Sequence, residues 1–148
     1  MICEIVAVNP DAQYSGTTYT QTVCCQVENG TEISVFDSTP PIVDDAMRGN
    51  RIDAMLLARA RDITISSEVS RTINPGNGTD CVYVGEVVGV ASVGTSQIQA
   101  LEVNVDIGTV YVEPDADFVD TVGAVESTIG ELVTVDAYRT DIVDFDAA

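Results

Sequence analysis

Five arginines, Arg48, Arg51, Arg59, Arg61 and Arg71, fall within a 24-residue window of a chain that holds only six cationic side chains. A guanidinium is a planar fork of five donors, so a cluster of them could grip phosphates or carboxylates. The sixth, Arg139, stands far outside the window. Four cysteines are the other reactive groups, and two of them are adjacent in "TVCCQV", Thr22 to Val27. Side chains alternate across a strand, so neighbours Cys24 and Cys25 point to opposite faces and cannot chelate one metal. There is no C-x-x-C spacing and no histidine to complete a site, so neither a metal nor a cofactor is expected. Four cysteines in a chain of this size do not by themselves establish a disulfide, although Cys3 on the first strand could lie across from Cys24 or Cys25.

Catalytic signatures are missing as well. Without histidine the usual general base at neutral pH is absent, and no nucleophile elbow, phosphate loop or dinucleotide fingerprint occurs. Carboxylate pairs such as Asp44-Asp45 and Asp115/Asp117 carry little information in a chain with 24 acidic residues. No enzymatic activity is expected.

Those 24 carboxylates face six arginines and no lysine, a formal charge of -18 on 148 residues. Disorder is not the reading, because 45% of the residues are apolar, many of them Val and Ile in alternating runs. Self-repulsion on this scale opposes a compact state in dilute buffer, whereas at molar salt the Debye length contracts to about 3 Å. An acidic surface stripped of lysine therefore reads as adaptation to near-saturating salt.

Internal repetition supplies the architecture. "EIVAV" (Glu4 to Val8) aligns with "EVVGV" (Glu86 to Val90), and "VCCQVENGTEISV" (Val23 to Val35) with "LEVNVDIGTVYV" (Leu101 to Val112). "GNRIDAMLLARARDI" (Gly49 to Ile63) then aligns with "GELVTVDAYRTDIV" (Gly130 to Val143). Between the second and third blocks lie "STPPIVDDAMR" and "DADFVDTVGAVEST", each able to hold a short helix. In the latter Phe118, Val122, Val125 and Ile129 share a helical face, with Asp115 or Asp117 placed to cap it. Each half thus predicts strand, strand, strand, helix, strand, strand. The alignment sets Cys25 beside core Val103 and Cys24 beside outward Glu102. Asn29-Gly30 predicts a type I′ hairpin turn, although both "NGT" triplets, at Asn29 and Asn77, also match the N-glycosylation pattern. Glu4 and Glu86 recur at one place in the repeat, where a bulge or a frayed strand start would account for them.

That order resembles the OB-fold, a small five-stranded Greek-key barrel with a helix between its third and fourth strands. The expected fold is all-β with short helices: two tandem small barrels, residues 1–66 and 81–148, joined by a turn-rich linker at 67–80. A single larger β-sandwich is the alternative. The aromatics that OB-folds stack against single-stranded nucleic acid are not evident on strands two and three, where Tyr111 stands alone in a comparable place.

Two functions follow. The favoured one is a non-catalytic structural or interaction protein of an extreme halophile, a homo-oligomer or a subunit of a larger assembly such as a virion head, tail or capsid-decoration component. The disfavoured one is a single-stranded nucleic-acid binder that uses the arginine window. Residues 1–74 carry ten acidic groups against five arginines, a balance of -5, and the remainder fourteen against one, a balance of -13. A field this negative repels phosphate except at high salt, where binding by counterion release is itself weak. The arginines are instead expected to bind carboxylates, within the fold or across a subunit boundary. "MICEIVAV" lacks a basic leader and no apolar run is long enough to span a bilayer, so a cytoplasmic or virion setting is expected.

The charge generates the first prediction. Far-ultraviolet circular dichroism should show strand structure at molar KCl and lose much of it at about 0.1 M, where the Debye length is near 10 Å. Full stability in dilute buffer would exclude halophilic adaptation as the reason for the charge.

Overall fold

In a computed structural model, which describes residues 1–38, 40–66 and 70–148, the chain is mostly β and forms one nine-stranded sheet among the described residues. The strands are β1 (Ile2–Tyr14), β2 (Thr17–Val27), β3 (Glu32–Ser38), β4 (Arg51–Ile65), β5 (Thr72–Pro75), β6 (Cys81–Val93), β7 (Ile98–Asn104), β8 (Thr109–Glu113) and β9 (Leu132–Ala147), with one helix, α1 (Ala116–Val122). A continuous sheet replaces the sandwich alternative, which requires two.

Pairing follows the repeat. β1, β2 and β3 form an antiparallel meander, as do β6, β7 and β8. The bulge expected near the recurring glutamates is present in both copies: register slips between Ile5 and Ala7 on β1, and between Val87 and Gly89 on β6. The largest departure lies in the third block. Instead of two short strands, each half contributes one long strand, and β4 and β9 run antiparallel from Ile52 opposite Ala147 to Ile65 opposite Val133. The first residues of β4 return to β1, with Cys3 opposite Ile52, while its middle lies parallel to β8, with Arg59 opposite Glu113. β9 mirrors this: Leu132 to Ala137 pair with β6, and Asp141 meets Phe36 of β3 in parallel.

Two circuits of hydrogen bonds result. One runs β1-β2-β3-β9-β4 and back to β1; the other runs β6-β7-β8-β4-β9 and back to β6. β4 and β9 belong to both. Alternation explains most of the core, since Val23, Cys25 and Val27 on β2 are buried while Cys24 and Gln26 are not, and Val103 on β7 is buried between the less buried Glu102 and Asn104. At the middle of β4 the alternation lapses, and Leu56, Leu57 and Ala58 are buried in succession. Leu56 and Ala58 join the main core, whereas Leu57 packs on the opposite face with Val93 and Ala100.

Smaller expectations need correction. Among its described residues "STPPIVDDAMR" holds a single 3-10 turn, Asp45–Met47, whose N-cap Asp44 accepts the Ala46 N–H at 2.9 Å. α1 begins after Asp115, whose side chain makes no capping bond, and stops at Gly123 (φ 76°). Phe118 is buried and Val122 and Val125 pack on the core, but Ile129, beyond the break, is half exposed. Asn29-Gly30 is not a type I′ turn: Asn29 is absent from the positive-φ residues, Gly30 alone has φ 87°, and Thr31 N–H bonds to Asn29 Oδ1 at 3.0 Å. The loop from Glu28 to Thr31 has four residues, too long for the two-residue I′ geometry. Within the stretch read as linker, Thr72–Pro75 is strand β5 on the edge of β6, and 67–69 lie outside the described residues.

The paired cysteines take opposite faces, Cys25 fully buried and Cys24 only partly. Cys25 donates a thiol hydrogen bond to Cys3, which holds Cys3 below its ordinary range and, with burial, pushes Cys25 far up. Burial likewise lifts Cys81 to about 11. Replacing Cys25 by Asp should therefore bury a carboxylate without a partner and cost several kcal/mol, about 3 or more, whereas Cys24→Asp should be tolerated. Denaturant midpoints at molar salt, with thiol labelling of the native chain, check this; labelling of Cys25 before Cys24 would contradict the assigned faces.

Candidate functional site

β4 and β9 cross from one circuit to the other near Leu57, opposite Asp141, and a group of four linked charges lies there. Arg59 points from β4 with Nε 2.8 Å from Asp141 Oδ2 and Nη1 2.6 Å from Glu113 Oε2. Directly across the ladder stands Arg139, with Nε 2.7 Å from Asp141 Oδ1 and Nη2 3.1 Å from Oδ2. Asp141 is thus a carboxylate only 8% exposed, held between two guanidinium groups. Arg139 also stacks on the Phe36 ring, 4.7 Å from its centroid. Burial works to lower the Arg59 pKa, but its hydrogen bond to Asp141 and the charges of Asp141 and Glu113 outweigh that and raise it.

The backbone explains the meeting. β3 ends beside β9 and β8 ends beside β4, so Phe36 and Glu113 arrive at matching places in the two halves, one under Arg139 and one under Arg59. A second carboxylate, Asp37, turns inward at the end of β3. It is 1% exposed and accepts from Gln21 Nε2 at 2.8 Å and from the Ile42 and Val43 N–H groups at 2.9 Å, pinning the loop that follows β3. That loop forms one wall of a cleft of about 380 Å³, whose other sides include Phe36, Leu57, Ile98 and Ile142 and whose floor carries Arg59 and Asp141.

The remaining arginines of the sequence window are dispersed. Arg48 pairs with Asp45 at 2.6 Å, Arg51 with Glu28 at 3.7 Å, Arg61 with Asp136 at 3.2 Å, and Arg71 with Glu86 at 2.9 Å. Only Arg59 of the five enters the central group. Its companions Arg139 and Asp141, 80 and 82 residues on, were not singled out by the sequence, although the repeat sets "RARD" (Arg59 to Asp62) near "RTD" (Arg139 to Asp141). All six arginines have an acidic partner within the chain. Chemically the central arrangement is a clamp, in which two forks and two carboxylates neutralise one another.

Among the described residues no group of three or more His, Cys, Asp or Glu side chains is disposed to hold a metal ion, and no helix is long and apolar enough to cross a membrane. Comparison of the chain with known protein families, with curated proteins and with solved structures gives no match.

The clamp and the exposed pairs should differ sharply on mutation. Asp141→Asn leaves Arg139 without an anion and weakens the hold on Arg59. The expected loss is about 2 kcal/mol, less than the roughly 3–5 kcal/mol of a fully buried pair because Arg139 keeps contact with water. Asp45→Asn removes an exposed partner and should cost under about 1 kcal/mol. Denaturant unfolding of both variants at molar salt makes the comparison, and equal effects would remove the clamp's structural role.

Proposed function

We propose that this chain is a non-catalytic structural protein of an extreme halophile, a subunit of a homo-oligomer or a larger assembly such as a virion. The observation that carries the reading is the neutralisation of every arginine by a carboxylate of the same chain, within a field of -18. Phosphate backbones are gripped by unpaired cations, and these cations are already engaged. The absence of lysine adds to the reading of a surface selected for high salt.

Nucleic-acid binding remains the second reading because of the strand order. Each circuit passes from first to second to third strand, takes a parallel step to a strand of the other half, and returns through the fourth to the first. That is the order of an OB-fold barrel whose fifth strand has been exchanged, and we read the two circuits as such barrels. OB-fold binders add stacked aromatics to a basic groove. Tyr111 is the aromatic of β7 and β8 that such a groove would use, and no unpaired arginine accompanies it.

Size-exclusion chromatography with light scattering, run beside oligonucleotide titrations at several KCl concentrations, separates the readings. The assembly reading expects an oligomer or capture by a particle, and no saturable binding of single-stranded DNA or RNA at any salt. Saturable binding that weakens as salt rises, and that is lost in Arg48, Arg51, Arg59, Arg61 or Arg71 variants, would replace it with the second reading.

A further inference from the structure

β1 and β2 continue well past the core as a two-stranded ribbon. Beyond Glu4, β1 pairs only with β2, and the residues from Asn9 to Thr17 are all exposed. The ribbon closes with Ser15 (φ 50°) and Gly16 (φ 80°), the two positive-φ positions of a type I′ turn, whose twist matches that of the strands it joins. Its geometry is therefore fixed by the backbone. Along β2 the face that buries Val23 and Cys25 continues outward to Gln21; beyond it the register slips between Ala12 and Gln13, leaving Tyr19 as the extra residue of a bulge on β2, and Tyr14 sits opposite Thr17 at the tip. Tyr14 is 73% exposed and Tyr19 52%. The ribbon thus runs out beyond the core with two exposed tyrosines near its tip.

The distribution of charge says what fits there. Residues 12–27, which make up the ribbon's end and β2, contain no charged side chain, although one residue in five of the chain is charged. Only one other stretch compares, residues 87–101, and it forms the equivalent β6–β7 hairpin. That second hairpin is covered by its own chain, since Val93, Ala100 and Ile98 pack with Leu57 and Val143. Its exposed turn, Gly94 to Ser96, also borders the cleft lined by Phe36, Ile42, Leu57, Ile98, Ile142 and Val143. The two charges on the cleft floor, Arg59 and Asp141, are paired with each other.

Molar salt screens the long-range repulsion between two copies of a chain with charge -18, but carboxylates pressed together at a contact still repel and lose their hydration, so two copies meet at least cost where both surfaces lack charge. A cationic partner would instead seek the carboxylates that these two surfaces leave out. We infer that the β1–β2 ribbon is an arm for self-association, which seats Tyr14 and Tyr19 in the cleft beside the β6–β7 hairpin of a second copy of this chain. Tyrosine suits the task, as a large rigid anchor for an apolar pocket with a hydroxyl that tolerates water. Arm and cleft are different surfaces, so the contact is head-to-tail and repeats until a ring closes or a filament grows. The inference rests on the assembly reading and names its partner.

Sedimentation velocity of the full chain at molar KCl tests it with two variants. Tyr14→Asp/Tyr19→Asp charges the arm, and Thr95→Asp/Ser96→Asp charges the rim of the cleft; all four positions are exposed, so each variant should keep the wild-type circular dichroism. Wild type should associate with concentration, and each variant alone should associate at least about tenfold more weakly. Mixed together, the two variants retain one intact arm and one intact cleft and should form a 1:1 dimer that grows no further. An arm variant that assembles like wild type, a mixture that stays monomeric, or a cleft variant that associates normally overturns the arm-in-cleft contact while leaving the assembly reading in place. Saturable oligonucleotide binding by the same wild-type sample would overturn the assembly reading itself. A wild type that is monomeric at every concentration overturns self-association alone, because assembly with a different particle protein would still be open to the chain.

Discussion

The ladder between β4 and β9 is the constraint on which the rest of the fold depends. Each strand is long enough to serve both circuits, and neither circuit closes without a segment donated by the other half. Hydrogen bonding at sheet edges makes this favourable, since an open meander leaves a row of unpaired N–H and C=O groups on either side. The long strands satisfy four such edges at once. Where they cross, both of their faces are covered, and the side chains there must suit two packing environments rather than one.

Charge is organised around the same crossing. Asp141 sits between Arg59 and Arg139 because the antiparallel register brings those arginines face to face. Two guanidinium groups in adjacent positions would repel, and the buried carboxylate between them converts that repulsion into a set of short hydrogen bonds. Elsewhere the carboxylates are in large excess and, the buried Asp37 apart, lie at least partly on the surface among the described residues. The protein therefore uses its scarce cations one by one, each within reach of an acidic neighbour, and keeps its uncharged surface for the ends of two hairpins.

Much of this was legible in the sequence, and what was not has a physical reason. Alternation at Val23 to Val27 and at Leu101 to Val105 marked strands with one buried face, and the repeat correctly carried the face of Val103 over to Cys25. The run Leu56-Leu57-Ala58 breaks the alternation, and the third block was expected to hold two short strands. That run is instead the place where one strand is buried on both faces, and period-two reasoning has no separate signature for that. Thr140, Asp141 and Ile142 do the same on β9. The arginine window looked like a cluster because sequence neighbours were taken for spatial ones. A strand of 15 residues spreads Arg51, Arg59 and Arg61 along its length and sends each to a different carboxylate, while the true neighbour of Arg59 comes from the far end of the chain. Short loops were also underdetermined, as at Asn29-Gly30, where one additional pair of loop residues was enough to change the turn.

The exchange of long strands also gives the chain the symmetry of a pair. A half-length chain carrying only three meander strands and one long strand would have half of that long strand unpaired and no fifth member for its ring. A second identical copy, related by a twofold axis through the crossing, would supply it, and the antiparallel pairing of β4 with β9 has the geometry that such an axis imposes. The present polypeptide thus has the form of such a pair held in one chain, with the segment that holds β5 as the connection between the halves. A single chain, unlike a true dimer, lets the two halves differ, one placing Phe36 where the other places Glu113, and one leaving bare a hairpin whose counterpart packs against its own chain.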